Sequence, residues 1–198
     1  MESLTVLKAV AAPFDLANCD TDKIIPARFL RKPRSAGYGN FLFHDIRGEA
    51  DFVLGRAAYR DAKILVAERN FGCGSSREGA VFALSGAGIR AVVAPSFGDI
   101  FANNCSKNGV AAIRLPSDAV AAMRSQLHAR PGAEITVDLM AQTVTGPDGT
   151  SYRFDIEPFV KHCLLNGLDD IGLTLEHAAQ IAAFERTHYN ASPWVGQP

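Results

Sequence analysis

The chain is 198 residues long, 47% apolar and 21% charged, with a formal net charge of −1. Length and composition suit a globular protein with one full hydrophobic core, and the near-zero charge excludes the basic excess of a nucleic-acid-binding surface. No run reaches the roughly 18 apolar residues of a membrane span, and the first residues lack the basic segment and apolar run of a secretory signal.

In chain order, residues 4–11 are apolar and strand-like. A polar turn at 18–22 precedes Ile24, Ile25 and Pro26. A short helix or extended segment at 27–30 enters a basic run, Arg28, Arg31, Lys32 and Arg34, with Gly37 and Gly39 directly after it. That run reads either as a solvated loop or as a mobile loop that folds over an anionic substrate. Residues 41–46 are ambiguous between helix and strand, and 51–58 predict a helix weakened by Gly55. The clearest part follows: a strand at 62–68, a glycine turn at 70–77, a helix at 78–86 and an apolar strand at 89–94, a βαβ-like unit with parallel pairing. Pro95 stops that strand. A helix at 97–104, a strand at 110–115 and a helix at 119–128 come next. Residues 134–154 alternate apolar and polar about Gly146-Pro147-Asp148-Gly149 and predict hairpin strands. A helix at 159–165 ends at Asn166-Gly167. Thr174 is placed to cap a last helix, 175–189, whose stripe of Leu175, Ala178, Ala179, Ile181, Ala182 and Phe184 predicts core packing. The tail 190–198 is expected to be poorly ordered. With no repeat and no linker, the reading is one mixed α/β domain spanning 1–198.

The 4 cysteines, Cys19, Cys73, Cys105 and Cys163, are widely spaced and form no CxxC pair. This argues against a zinc ribbon or a self-contained iron–sulfur ligand set, and for reduced thiols in a cytoplasmic-type compartment. The chemistry concentrates instead in Phe71-Gly72-Cys73-Gly74-Ser75-Ser76-Arg77-Glu78. Gly72 and Gly74 permit a tight turn and close approach to a ligand, and Cys73 is a small residue that fits it. Ser75, Ser76 and Arg77 then arrive at a helix N-terminus, where free N–H groups, hydroxyls and a fork-shaped cation suit a carboxylate or phosphate. The third glycine of a dinucleotide fingerprint and the Gly-Lys-Ser/Thr of a Walker loop are both missing. A purely structural alternative stands beside this one: Ser75-x-x-Glu78 reads as a capping box. Asp20 and Asp22 are candidates to orient a polar ligand, or form an Asx-type turn. His44 and His162 lack metal-ligand spacing and read as structural.

Four ordered blocks resemble those of a known family. Asn18-Cys19-Asp20-Thr21-Asp22-Lys23-Ile24-Ile25-Pro26 is similar to its N-x-D-T-D-x-I-I-P segment, and residues 70–78 are similar to its glycine–serine–arginine motif. A third block runs from Ala94-Pro95-Ser96-Phe97 through Asn103-Asn104-Cys105 to Lys107-Asn108-Gly109, and residues 161–174 resemble the C-terminal signature. On these blocks, which cover nearly the whole chain, the sequence resembles the small subunits of 3-isopropylmalate dehydratase in the aconitase superfamily. The resemblance implies an α/β fold of the aconitase-type swivelling β/β/α three-layer kind. It implies a large-subunit partner that carries a [4Fe–4S] cluster, none being bound by this chain. The implied reaction isomerises 2-isopropylmalate to 3-isopropylmalate by dehydration and rehydration in leucine biosynthesis. Ser75 matches the catalytic base, acting as an alkoxide; Ser76 and Arg77 match substrate-carboxylate contacts. The loop around 28–40 matches the substrate-recognition region, with Arg31 and Arg34 as candidate carboxylate ligands.

The chain departs from the family pattern at Gly79, where His is usual, and at Ile46, where Trp is common. A related hydro-lyase acting on methylmalate/citraconate or homoaconitate-type di-acids, and a non-catalytic relative that keeps only the partner interface, therefore remain as alternatives. The intact Ser75-Ser76-Arg77 triplet favours an enzyme.

Overall fold

The apolar runs in the middle of the chain become strands buried on both faces. The computed structural model describes residues 1–195. Strand β1 (Val6–Phe14) starts the chain, and a short helix α1 (Thr21–Ile24) follows it. Strand β2 (Ile64–Ala67), helix α2 (Glu78–Gly86), strand β3 (Ala91–Ala94), helix α3 (Asp99–Lys107), strand β4 (Ala111–Arg114) and helix α4 (Ser117–Ala129) come next. Strands β5 (Glu134–Asp138), β6 (Thr143–Thr145) and β7 (Ser151–Arg153) precede helices α5 (Pro158–Asn166), α6 (Asp170–Leu175) and α7 (Ala178–Ala191).

The strands form one seven-stranded sheet in the order β4-β3-β2-β1-β5-β6-β7. Strand β1 divides it. Its second half, Ala11 to Phe14, pairs in parallel with β2, while its first half, Val6 to Val10, pairs antiparallel with β5. Beyond β2 the ladder stays parallel through β3 and β4; beyond β5 it stays antiparallel through β6 and β7. Because side chains alternate along a strand, β2 and β3 feed two cores. Leu65, Ala67, Val92 and Ala94 meet α2 and α3 with Phe14, Phe43 and Phe71, whereas Ile64, Val66, Ala91 and Val93 meet α4 with Ile135 and Val137. The mixed α/β expectation is met.

Three local readings need correction. Residues 51–58 form no α-helix but two single 3₁₀ turns, Val53–Gly55 and Ala57–Tyr59, consistent with glycine's poor helix propensity at Gly55. The last helix, α7, starts three residues later than expected, and a separate short helix, α6, precedes it and takes up Thr174. Asp169 caps α6, its carboxylate accepting from Gly172 N at 2.8 Å, and Thr174 lies inside α6 with its hydroxyl donating to Asp170 O. The expected apolar stripe is not core: Leu175 is 63% and Phe184 68% exposed, and α7 has no buried residue. The chain continues past α7 into a 3₁₀ turn at Pro193–Val195; the rest of the expected tail, residues 196–198, lies outside the described residues. Among the described residues no helix is long and apolar enough to cross a membrane.

Candidate active site

The glycine turn is clamped from three sides. From the β3–α3 connection, Ser96 O accepts from Phe71 N at 3.1 Å and Gly98 N donates to Phe71 O at 3.0 Å. From the β1–α1 connection, Cys19 O accepts from Gly72 N at 2.7 Å and Thr21 N donates to Cys73 O at 3.0 Å. The buried Thr21 hydroxyl then donates to Ser75 O at 2.8 Å. From below, the Phe101 ring of α3 closes on Gly72. A Cβ there would lie 2.2 Å from the ring, and its φ of +72° is left-handed, so both space and backbone demand glycine. Gly74 has φ +88°. These clamps hold the backbone while Gly74, Ser75 and Ser76 face solvent.

Helix α2 begins directly afterwards, so the serines immediately precede a helix N-terminus and its positive end. The capping box does not form. Arg77 occupies the N-cap position without a side-chain cap, and Glu78 accepts instead from Asn108 Nδ2 at 3.0 Å. The Arg77 guanidinium, 17% exposed, is ion-paired with the Asp22 carboxylate. Asp22 also accepts from Ala27 N at 3.2 Å, which ties the start of the basic segment to the same group. Hydrogen bonding by Arg77 is the main reason the Asp22 carboxyl is held below the usual carboxylate range. Asp20 behaves differently. It caps α1 by accepting from Lys23 N at 2.8 Å, as the turn reading anticipated for it.

The basic segment lies along α2 in 3₁₀ turns at Arg34–Ala36 and Tyr38–Phe41. Its cations are unequal. Arg28 pairs with Asp45, and Lys32 Nζ sits 5.5 Å from the Phe41 ring centroid. Arg34 stacks on Phe82 of α2 at 3.6 Å from the centroid. Arg31 is exposed and has no ion pair or side-chain hydrogen bond among the described residues. Sequence reasoning named both Arg31 and Arg34; the structure occupies one and leaves the other open. It missed Thr21 and Phe101 as supports of the turn, although Thr21 stands inside the Asp20–Asp22 block.

The remaining candidates have ordinary partners. His44 lies 3.3 Å from the Asp45 carboxylate, and His162 lies 3.3 Å from Glu176 and bonds Asn166. Cys19 and Cys105 are fully buried, and desolvation raises the Cys19 thiol pKa to about 12 and the Cys105 thiol higher still. A cleft of about 480 Å³ between Leu42, Phe43, Phe52 and Tyr59 is lined by no residue of the glycine turn.

The exposed serine pair and the braced arginine thus stand together at the start of α2, beside the parallel half of the sheet. Residues 1–118 match the family described as the aconitase C-terminal domain. Residues 121–158 match LeuD_N, and residues 170–196 match the C-terminal domain of the 3-isopropylmalate dehydratase small subunit. The chain is 52% identical over 201 aligned positions to the 3-isopropylmalate dehydratase small subunit of Paramagnetospirillum magneticum, covering 98% of this chain and 100% of that one. It is 51% identical to that of Dinoroseobacter shibae over the same extent. A crystal structure of 3-isopropylmalate dehydratase (leuD) from Methanocaldococcus jannaschii superposes with a TM-score of 0.68 at 26% identity, covering 91% of this chain and 99% of that one. The chain belongs to the 3-isopropylmalate dehydratase small-subunit family.

Proposed function

We propose that this chain is the proton-handling half of a split hydro-lyase, acting with a large subunit on 2-isopropylmalate. One observation carries the reading: Ser75 and Ser76 are exposed on a rigidly clamped turn, beside Arg77, at the N-terminus of α2.

Dehydration of a hydroxy di-acid removes a proton from the carbon beside a carboxylate and a hydroxide from the neighbouring carbon. In our reading the Ser75 oxygen takes the proton. It is a weak base unless its alkoxide is stabilised, and the first-turn N–H groups of α2 with the Arg77 guanidinium provide the nearby positive potential. Negative charge that develops on the substrate carboxylate is met by the Arg77 fork and the Ser76 hydroxyl. Asp22 holds Arg77 in line until the substrate carboxylate arrives. Arg31, the open cation of the basic segment, takes the second carboxylate; Arg34 remains on Phe82. The departing hydroxyl needs a Lewis acid, which a [4Fe–4S] cluster on the large subunit supplies when bound. Three of this chain's four cysteines, Cys19, Cys105 and Cys163, are buried, which suits them poorly to hold a cluster facing substrate. In rehydration the Ser75 hydroxyl returns its proton to the carbon that lost hydroxide, and hydroxide adds to the carbon that lost the proton, so the two positions exchange.

The test is an anaerobic assay of this chain with its reconstituted large subunit, following the unsaturated intermediate from 2-isopropylmalate, with citraconate and homoaconitate offered in parallel. Preference for isopropylmalate is expected. Ser75→Ala should lower kcat by about 10³-fold while the complex still assembles, the scale of losing a general base. Near-normal turnover by that variant would remove Ser75 from the role. Preference for another di-acid would keep the mechanism and change the substrate.

A further inference from the structure

Gly79, one of the two positions at which this chain departs from its family's pattern, lies in the first turn of α2 with no Cβ where one would collide. A Cβ built there would stand 2.5 Å from Leu30 Cδ2 and 3.3 Å from Tyr38 Cε2. Both partners belong to the basic segment. The Tyr38 hydroxyl in turn donates to Lys32 O at 2.9 Å, folding the segment back on itself. One turn further along the helix, Phe82 receives the Arg34 guanidinium and the Tyr38 ring, centroids 6.1 Å apart for the two rings. At the end of α2 the backbones of Gly39 and Gly86 touch: a Cβ on Gly39 would lie 2.4 Å from Gly86 C and O. The segment is thus seated along the whole helix at three points, and only the first is set by a residue two positions from Arg77.

We infer that Gly79 is a specificity-determining position, a socket for Leu30 that fixes where Arg31 stands relative to Ser75 and Arg77. Leu30 is half-buried and its neighbour Arg31 exposed, so chain connectivity carries the seat of one to the position of the other. A larger residue at 79 displaces Leu30 and moves Arg31, while Ser75, Ser76 and Arg77 keep their clamps. The consequence falls on recognition of the second carboxylate and of the group beside it, and not on proton transfer. The inference rests on the assignment of the Ser75 turn as the hydro-lyase site for its catalytic part alone; the socket itself is independent of any substrate.

Two measurements separate these parts. The obstructing atom is the end of a flexible side chain, and alanine is the better helix former, so Gly79→Ala is expected to fold. In the isolated chain, trypsin cleavage after Arg31, mapped by mass spectrometry, should accelerate about tenfold in Gly79→Ala as the segment loosens. Leu30→Ala should do the same, and the double variant should add nothing further, because both remove one contact. Unchanged cleavage in Gly79→Ala, or additive effects in the double variant, overturns the socket whatever the substrate proves to be. In the assembled complex, KM for the preferred di-acid should rise roughly tenfold with kcat within about threefold, the scale of one weakened charge-assisted contact. An unchanged KM alongside faster cleavage overturns the specificity role and leaves the socket as packing only. A wild-type complex without activity on any di-acid would refute the hydro-lyase assignment while leaving the cleavage result to stand or fall alone.

Discussion

Helices α2 and α7 are both rich in apolar residues, and their fates are opposite. Along α2, Gly79, Ala80, Val81, Ala83 and Leu84 are buried beneath the sheet's helical face, and the segment 28–40 covers part of what remains. Along α7 nothing is buried, although Ile181 and Phe184 recur at helical spacing. Periodicity describes one surface of a helix; burial needs a second surface opposite. For α2 the chain supplies that surface from β2, β3 and α3, while for α7 no element among the described residues does so. The contrast separates the part of the molecule that holds the site from the part that adds exposed apolar area.

The largest stability effect should come from α2. Leu84→Ala opens a cavity at a fully buried position and should cost about 2–5 kcal/mol, read as a lower denaturation midpoint at constant slope. A loss below about 0.5 kcal/mol would mean that the helix is not seated as described, and the comparison with α7 would lapse. Arg77→Lys, at the start of the same helix, should behave otherwise. Lysine keeps the charge but cannot present two N–H groups to one carboxylate, so kcat/KM should fall by about 10- to 100-fold with little change in stability. An unchanged kcat/KM would remove the fork from substrate binding.

The difference also explains what was legible in the sequence. The strands and helices from 62 to 128 were readable because continuous apolar runs, broken by Gly and Pro, have few alternatives once a βαβ unit is assumed. The glycine turn was legible as a tight turn leading into a helix, and residue types alone prompted the proposal of an anion site there. Its supports were not. Asp22 and Arg77 are 55 positions apart, and Thr21 reaches the Ser75 carbonyl across 54. Local spacing at Ser75-x-x-Glu78 suggested a capping box, but Glu78 is drawn away by Asn108, 30 positions on. Such long-range pairings override local propensity and leave no periodic trace. The stripe on α7 was misread for the converse reason: its local signal was sound, but whether anything faces it is a property of the whole assembly of elements.

Two smaller effects test the rigid half. Cys19 and Cys105 lie behind the glycine turn and inside α3, fully buried, and desolvation keeps both thiols protonated at neutral pH. In the folded chain iodoacetamide should therefore label the partly exposed Cys73 well before either of them, as read by peptide mass mapping. Early labelling of Cys105 would show that α3 opens readily and that the clamp on Gly72 is loose. The pH dependence follows from Asp22. Its folded pKa lies below its unfolded one because Arg77 hydrogen-bonds the ionised form. Its contribution to stability is therefore complete above the unfolded carboxylate value, near 4, and is lost as pH falls through the lowered folded value. Asp22→Asn should flatten that acid limb of the stability curve. The change should be modest, since the Asp22 side chain is 55% exposed and solvent screens the pair. An identical acid limb in the variant would mean that the ion pair is not kept in solution.

The smallest effect sharpens the contrast most. Phe184 is 68% exposed, and among the described residues its ring stacks on His188 of the same helix at 5.5 Å and on no other ring. Truncating a buried phenylalanine typically costs about 3–5 kcal/mol, through lost transfer energy and the cavity left behind. Here there is little burial to lose and no cavity to open, so Phe184→Ala in the isolated chain should change stability by no more than about 0.5 kcal/mol. Alanine's better helix propensity offsets part even of that. A loss comparable to Leu84→Ala would show that α7 packs against the body of the protein in solution, and the stripe of Leu175, Ile181 and Phe184 would then be core after all.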